Sequence, residues 1–452
     1  MNEMLPPSLN NIDKISPEYR KQDIEVFWER LGGYPLGFGL PGMKRGFWRP
    51  PEYMMERFAL PELTFGSMAV QSPPDEQSAE AYRNHYRTRL QMLREHGCNY
   101  VSPLTARDIH IAYPKGVNHK AVERFADALV SDLSDFTKKP IAATPPIEYS
   151  SIEDAISKLH AQSAQMVVFI MNNERTAYHD IAYKQKWRVK HITQKVFCDK
   201  YQNESRWGRK KGFVTMNALD VLQLMDAVPY STQQFGQYQA QLVIDVGHNR
   251  RQFALSLSLI SSKGVQPLRE KTRVYEKGDH QHDTINPSIL KDCIVELIES
   301  VMGRRVPPIE SLLILRDGEF RELQNGRYKE VKGVNDAMDV LQKRQLIAAN
   351  ATIHLVDYRK STNKTVRLWE LTEDGNVENP LEGIAVYLNS KKSVLTTTGI
   401  STLRQGTAQP VTLTRNGQCP DIRLPTQSVF EGAQFNWSSP QVAQSHTLGI
   451  KC

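Results

Sequence analysis

Cysteine is scarce in this 452-residue sequence. Its 5 cysteines are widely spaced and form no C-x-x-C pair, so neither a disulfide framework nor a zinc site is indicated. No apolar run is long enough to cross a bilayer, and the first residues lack the basic-then-apolar pattern of a signal peptide. These absences predict a cytoplasmic protein with reduced thiols and no membrane contact.

Several catalytic motifs are absent as well. The sequence contains neither G-x-x-x-x-G-K-[ST] nor G-x-S-x-G, which argues against an ATPase and an α/β-hydrolase. Among the 12 histidines only His280 and His282 stand close together, and a solvated loop explains that pair better than a metal site. A disordered chain is also excluded, because 40% of the residues are hydrophobic and 24% are charged.

Positive charge is present and concentrated. The formal net charge is +7, and residues 182–211, here called the basic segment, carry +8 of it, which leaves −1 for the rest. Aromatic residues are interleaved with these cations: Tyr183, Trp187, Phe197, Tyr201 and Trp207. Because cations bind phosphates and rings stack on bases, the pattern favours nucleic-acid binding. An ordinary solvated helix face is the alternative.

The first half of the chain predicts a small parallel sheet. Residues 1 to about 60 are rich in Pro, Gly and aromatics, which predicts no long helix there and either wrapping of the chain itself or docking on a partner. Strand and helix patterns then alternate, as in an α/β domain. Strands are predicted at Asp108–Pro114 and Met166–Met171, and helices at Ala79–His96, His119–Leu133, Ile152–His160, Ala182–Val189 and Asn217–Met225. The basic segment comes after the Met166–Met171 strand, at the edge where open α/β sheets bind ligands.

The second half predicts a mixed sheet with helices on its faces. A strand hairpin is expected over Gln241–Ser262, and strands and helices alternate after it: helix Ile285–Met302, strand Glu310–Phe320, helix Gly333–Arg344 and strand Ala351–Lys360. Asp245 and Asp317 lie at the ends of two of these strands. If the strands are neighbours, the carboxylates can share divalent metals for phosphodiester hydrolysis. The alternative is that both only terminate strands or make turns.

Four stretches in the second half, in order, resemble the PIWI domain of prokaryotic Argonautes: VIDVGHNRRQFALSLSL, LLILRDGEF, LTTTGISTLRQGTAQPVTL and VFEGAQFNWSSPQVAQSH. Upstream, AYHDIAYKQKWRVKHITQKV and TMNALDVLQLMDAVPY resemble the adjoining MID domain. The similarity covers roughly residues 60–452. The length leaves no room for separate N and PAZ domains, so the chain resembles a short prokaryotic Argonaute.

The resemblance implies an α/β fold in two units. A Rossmann-like parallel-sheet MID domain is expected over residues 96–237, and an RNase-H-like mixed-sheet PIWI domain over residues 238–452. Residues 1–95 form the Pro/Gly/aromatic-rich segment and linker, which can dock a partner.

The resemblance also implies a pocket for the 5′-phosphorylated end of a guide strand. Tyr178 matches the residue that stacks on the first base, and Gln194 matches a phosphate ligand. The two lysines of the family's pocket are missing here: one position is Ala182, and Val221 and Met225 occupy the helix face of the other. The candidates to replace them are Lys184, Arg188, Lys190, Lys195, Lys210 and Lys211. A Mg²⁺ ion at the guide 5′-phosphate is a further expectation.

The family's slicing site is expected to be degenerate. Its tetrad consists of Asp, Glu, Asp and a final Asp or His, and Asp245 and Asp317 match the first and third members. Glu276 is the nearest candidate for the glutamate, without a clear pattern match. The final position falls on Leu424, which cannot bind a metal, and Asp421 is out of register. Loss of ligands removes the geometry of a two-metal site, so no enzyme activity is expected from this domain.

The resemblance therefore predicts a guide-binding subunit of a prokaryotic defence system. It would hold a short guide, RNA more readily than DNA, recognise complementary DNA and activate a separate APAZ-containing effector. That effector would be a NADase of the Sir2 or TIR type, or a nuclease. The alternative is a guided metal-dependent nuclease that uses Asp245 and Asp317. A third hypothesis is an RNase-H-like scaffold that binds nucleic acid without guides.

Overall fold

The computed structural model describes residues 15–32, 50–102, 108–172, 181–182, 184–232, 236–248, 252–261, 268–276, 284–301, 307–321, 329–360, 367–403, 406–416 and 419–441. Its first elements are helix α1 (Pro17–Gly32), strands β1 (Met55–Arg57), β2 (Leu63–Thr64) and β3 (Val70–Gln71), helix α2 (Ala79–His96) and strand β4 (Tyr100–Val101). The helix predicted over Ala79–His96 is present as α2, and β2 runs antiparallel to β3.

Helix α1 corrects the expectation that residues 1 to about 60 hold no long helix. It begins at Pro17, where a proline loses no needed hydrogen bond, and the next residue that breaks helices is Gly32 at its end. The segment before it lies on the distant carboxyl-terminal part of the chain, because Thr407 Oγ1 donates to the Ile15 carbonyl at 2.8 Å. The described part of the segment therefore packs against its own chain.

A small parallel sheet follows, in the order β6–β5–β8–β9 with β7 also paired to β5. Its strands are β5 (Asp108–Pro114), β6 (Ala142–Ala143), β7 (Ile147–Tyr149), β8 (Met166–Met171) and β9 (Arg188–Thr193). Helices α3 (His119–Thr137) and α4 (Ile152–Ala161) connect them. All six residues of β8 are buried, as expected for a central strand covered on both faces. This unit, here called the small sheet, confirms the predicted parallel arrangement.

The predicted helix over Ala182–Val189 is wrong in its second half. The backbone of Lys186 is left-handed (φ 56°), which ends helical geometry there. Strand β9 then begins at Arg188 and pairs in parallel with all of β8. β-branched Val189 and Ile192 become buried in this pairing, so sheet packing overrides the local helix pattern.

Two helices continue from the small sheet. Helix α5 (Gln194–Phe197) follows β9 directly. The second half of helix α6 (Trp207–Leu224) matches the predicted helical stretch Asn217–Met225 except for Met225, which follows the last helical residue. Strand β10 (Ala227–Val228) then pairs with β4.

The large sheet has nine strands in the order β1–β18–β19–β20–β15–β14–β11–β12–β13. Its later strands are β11 (Ala240–His248), β12 (Gln252–Ser261), β13 (Leu268–Glu276), β14 (Ile309–Asp317), β15 (Ile347–Arg359), β18 (Ile384–Asn389), β19 (Lys392–Leu395) and β20 (Val411–Asn416). Strands β16 (Glu370–Leu371) and β17 (Val377–Glu378) form a separate pair. The predicted hairpin is present as β11 and β12, and β14 and β15 run parallel to β11.

Helices cover both faces of the large sheet: α7 (Pro287–Val301), α8 (Glu330–Lys343) and α9 (Arg423–Ala433). Leu242 and Ile244 of β11 pack with α7 and α8, whereas Val243 packs with α9 and α2. This alternation is what a strand buried on both sides requires. The expected mixed sheet with helices on its faces is confirmed.

Helices α2 and α9 join the two sheets. Tyr86 of α2 lies in the core of the large sheet, and Leu93 of the same helix lies in the core of the small sheet. Between them Arg89 is fully buried and donates to the Gln434 carbonyl at 3.2 Å and to Gln434 Oε1 at 3.0 Å, just past the end of α9. Within the described helices, no span is long and apolar enough to cross a membrane.

Candidate functional site

The carboxyl edge of the small sheet is formed by the ends of β8 and β9. Met171 and Thr193 are paired across these strands, so the residues that follow each strand meet at one edge. Thr193 caps α5, because its Oγ1 accepts from the Val196 amide at 3.2 Å. Gln194 and Lys195 are thereby fixed at this edge, and Lys195 is exposed.

Two cations of the basic segment are already paired. Arg188 lies 2.7 Å from Asp226 Oδ2 and donates to the Leu224 carbonyl at 2.7 Å. Lys190 Nζ lies 2.5 Å from Asp220 Oδ2. These bonds fasten β9 to α6. They also show that α6 runs antiparallel to β9, because Arg188 at the start of the strand contacts the end of the helix, whereas Lys190, further along the strand, contacts Asp220, earlier in the helix. The start of α6 therefore lies toward the carboxyl edge.

The structure does not bring all the predicted pocket residues together. Arg188 pairs with Met166 at the opposite, amino edge of the sheet, and along β9 it is about 16 Å from Thr193. Lys184 lies before β9, next to Gln185, whose Oε1 is 2.5 Å from Nε2 of His160. The residues at or beyond the carboxyl edge are Gln194, Lys195, Lys210 and Lys211. Tyr178 lies outside the described residues.

The helix face on which the resemblance expects a lysine is part of the core. Val221 and Met225 are completely buried and pack in the small-sheet core. A lysine there would have to place a charge among apolar side chains, so any phosphate-binding cation must come from other positions.

The interleaved aromatic residues separate into two groups. Trp187, Phe197 and Tyr201 are buried, so they serve the core and are closed to stacking partners. Trp207, at the start of α6, is 68% exposed. Tyr183 lies outside the described residues. Among the aromatic residues of the basic segment whose side chains are described, accessibility therefore singles out Trp207.

The second candidate edge lies on the large sheet. Strands β11 and β14 are parallel neighbours, with Ile244 paired to Arg316, and Asp245 and Asp317 are the next residues along each strand. The structure therefore brings together the two carboxylates that the sequence analysis singled out. Asp245 Oδ1 accepts from the Val246 amide at 2.8 Å, which holds one of its oxygens.

Lys360 lies between these two carboxylates. Its Nζ is 2.8 Å from Asp317 Oδ2 and 3.5 Å from Asp245 Oδ2. The residue follows β15, which runs parallel to β14 and ends at the same edge. The sequence pattern predicts a strand that ends at Lys360 and assigns this residue no role. The feature that could have indicated its contact with the carboxylates is a basic residue at the end of a third parallel strand.

Burial and charge act on Asp317 in opposite directions. Burial raises the pKa of its carboxyl group, the hydrogen bond and charge of Lys360 lower that pKa, and the neighbouring Asp245 raises it; the net direction is upward. One ammonium is thus shared by two carboxylates, and it offsets one of their two negative charges when both are ionised.

The residues with described side chains at this edge do not fit a two-metal site. Lys360 interacts with an oxygen of each carboxylate that a metal would need, and an ammonium repels a divalent cation. Among residues with described side chains, no group of three or more His, Cys, Asp or Glu residues is arranged to hold a metal ion. Leu424 packs against the core of the large sheet, and exposed Asp421 accepts from the Arg423 amide at 3.0 Å. The side chain of Glu276, and His280 and His282, lie outside the described residues.

A buried ion pair lies next to this edge, at the residue before Asp317. Arg316 Nε lies 3.1 Å from Glu330 Oε2, with side-chain exposures of 3% and 0%. Glu330 Oε1 also accepts from the Ile285 amide at 2.8 Å. The pair ties the end of β14 to α8 and so fixes the position of Asp317.

Comparison with known proteins identifies the fold. No family model and no curated protein matches the sequence. Among solved structures, the chain is similar to Clostridium butyricum Argonaute bound to a guide DNA and a 19-mer target DNA, with 14% identity, a TM-score of 0.71 and 97% of the chain covered. It is also similar to Drosophila Piwi (11%, 0.64, 96%) and Aquifex aeolicus Argonaute (14%, 0.59, 94%). The chain spans 57% of the length of the Clostridium butyricum and Aquifex aeolicus proteins and 58% of the length of Drosophila Piwi.

The chain therefore has the Argonaute fold, over a part of the length of those proteins. Its parallel small sheet and mixed large sheet agree with a MID and a PIWI domain, as the sequence analysis expected.

Proposed function

We propose that this chain holds a guide strand by its 5′ end, pairs it with complementary nucleic acid and does not cut either strand. An RNA guide and a DNA target are the expected pair. Support comes from the fold shared with Clostridium butyricum Argonaute, which is bound to a guide DNA and a target DNA. The exposed cations at the carboxyl edge of the small sheet add the positive charge that phosphates require.

The single observation that carries the absence of cleavage is the position of Lys360. Metal-dependent phosphodiester hydrolysis needs divalent ions held by carboxylates beside the scissile phosphate. Here the carboxylates of Asp245 and Asp317 face an ammonium at 3.5 Å and 2.8 Å. Both carboxylates already contact a cation of the protein itself, so a metal ion would have to displace the Lys360 ammonium in order to bind.

For the 5′ end, Gln194 and Lys195 are the described residues best placed to hold a phosphate, with Lys210 and Lys211 beyond them. Arg188 and Lys190 would have to leave Asp226 and Asp220 before they could bind a phosphate. Tyr178 as the stacking residue and Mg²⁺ as an added counter-ion at the 5′-phosphate remain parts of the proposal.

A subunit that recognises but does not cut needs a second protein for its output. We therefore include in the proposal a separate APAZ-containing effector, a NADase of the Sir2 or TIR type or a nuclease, in a prokaryotic defence system. The N-terminal segment, residues 1–95, is the proposed docking region. Its described strand β1 forms one edge of the large sheet, and all three of its residues are exposed.

The second candidate function is a guided metal-dependent nuclease. It is favoured by the adjacency of Asp245 and Asp317 on neighbouring parallel strands. It requires Lys360 to move away and further ligands to join the two carboxylates.

Guide binding is tested by the nucleic acid that purifies with the protein from cells. We expect short strands whose end-labelling requires prior phosphatase treatment, which identifies a 5′-phosphate. A Gln194→Ala/Lys195→Ala double variant should lose most of them, and Lys360→Ala, a change at the other edge, should keep them. Parent protein that carries no short 5′-phosphorylated strands would contradict the proposal.

A further inference from the structure

Trp207 is exposed among cations. It is the first residue of α6, and 68% of its surface is open to solvent. Four basic residues surround it in sequence, and together with it they form what we call the Trp207 patch: Arg206, Trp207, Arg209, Lys210 and Lys211. An exposed aromatic ring next to several cations is the combination found on surfaces that stack bases and hold phosphates.

The patch keeps an excess of positive charge. Glu204 is the described acid that pairs within it: its Oε2 lies 3.5 Å from Arg209, and its Oε1 accepts from the Arg206 amide at 2.9 Å. The charge of Arg206 also acts on Glu204, so the cations of the patch without a described carboxylate partner are Lys210 and Lys211. Lys210 Nζ lies 5.6 Å above the ring of the buried Tyr201, which keeps that ammonium near the start of α6.

The surface around the patch is open. A Cβ added to Gly208 or Gly212 would meet no described atom within 4 Å. Two glycines one turn apart therefore leave this face of α6 uncovered, so that an extended polymer can approach its backbone. The ion pairs of Arg188 and Lys190 place this end of the helix toward the edge that holds Gln194 and Lys195.

We propose that the Trp207 patch binds single-stranded nucleic acid, with a base stacked on the indole and neighbouring phosphates held by Lys210 and Lys211. The charge selects a polyanion and the exposed ring selects one with accessible bases, a combination typical of surfaces that bind single strands. The patch does not distinguish a 5′-phosphate from a 5′-hydroxyl at the end of the strand. It deepens the proposed function and rests on it in two respects: strands must reach the small sheet, and Lys210 and Lys211 also lie beyond the residues proposed for the 5′ end.

Binding of fluorescein-labelled 20-nucleotide strands, with a 5′-phosphate or a 5′-hydroxyl, tests the patch by anisotropy. Stacking on an aromatic side chain is worth about 1–3 kcal/mol per base, so Trp207→Ala should weaken binding at least about fivefold, equally for both strand ends. Trp207→Phe should restore most of the affinity. Tyr53→Ala is the matched control, because Tyr53 is 77% exposed but lies between Glu52 and Glu56, and it should bind as the parent does.

Salt dependence separates the two roles within the patch. Lys210→Ala/Lys211→Ala should flatten the slope of log affinity against log salt by about 1.4, because each phosphate contact on a single strand contributes about 0.7. Trp207→Ala should leave the slope unchanged. Unchanged affinity in Trp207→Ala would overturn the patch, whatever the result for the strand end. If Trp207→Ala weakens both strands while the parent shows no 5′-phosphate preference, the patch stands and the proposed 5′-end site fails.

Discussion

The two sheets of this protein treat charge at their carboxyl edges in opposite ways. At the small sheet, exposed Lys195 lies beside Gln194 with no described carboxylate paired to it. At the large sheet, two carboxylates meet and share the ammonium of Lys360. Both edges stand at the topological position where α/β sheets bind ligands. One edge keeps an exposed positive charge, and at the other edge a single ammonium offsets part of the negative charge of two carboxylates.

The difference indicates where a ligand can act. Unpaired exposed cations attract a polyanion without giving up an internal partner. A carboxylate pair already bound to an ammonium must lose that contact before it binds a metal. The same chain therefore has one edge with exposed cations and another edge whose carboxylates already contact an ammonium. Removing a lysine at either edge should therefore break the contrast between the two edges.

Removing Lys360 should have the largest effect. In Lys360→Ala two partly buried carboxylates face each other without a cation, and we expect the free energy of unfolding at pH 8 to fall by about 2 kcal/mol. The loss should shrink as the pH is lowered, because the raised pKa of Asp317 lets it take up a proton and remove the repulsion. Urea denaturation at several pH values measures both trends.

The same variant should acquire an affinity for divalent metal. Millimolar Mn²⁺ should raise the thermal midpoint of Lys360→Ala and leave that of the parent unchanged, since ligand binding to the folded state alone stabilises it. Lys391→Ala removes an exposed lysine from the turn between β18 and β19 and serves as the control. A Mn²⁺ shift in the parent equal to that in Lys360→Ala would show that Lys360 does not block the site.

Removing Lys195 should have a smaller and more selective effect. Lys195→Ala should weaken binding of a 5′-phosphorylated strand about tenfold, or about 1.4 kcal/mol, and leave a 5′-hydroxyl strand nearly unaffected. Lys184→Ala is the matched control, since Lys184 is an exposed lysine of the same segment placed toward the amino edge. Equal losses in the two variants would mean that the segment binds by diffuse charge, and the carboxyl edge would lose its special role.

Local patterns predicted most of the elements. The helix Ala79–His96 has the predicted bounds: Ser78 accepts from the Ala81 amide at 3.2 Å, and Gly97 follows with a φ of +82°. These are start and stop signals that a sequence carries locally. The adjacency of Asp245 and Asp317 was also predictable, because both end strands in an alternating pattern.

The errors came from tertiary pairing. The first two residues of strand β9 were predicted as the end of a helix, and only the pairing of β9 with β8 gives Val189 and Ile192 a buried environment. Lys360 was visible as the end of a strand, but its contact with Asp317 depends on a parallel neighbour that the sequence does not specify. The exposure of Trp207, against the burial of Phe197, likewise depends on which side of the small sheet each ring faces.

Guided cleavage tests the central claim most directly. The protein is loaded with a 5′-phosphorylated guide, given a labelled complementary strand with Mn²⁺ or Mg²⁺, and compared with Asp245→Ala for both binding and product. We expect both proteins to retain the complementary strand and neither to yield a guide-dependent product. A guide-dependent product from the parent that is absent with Asp245→Ala would contradict the account and establish the nuclease.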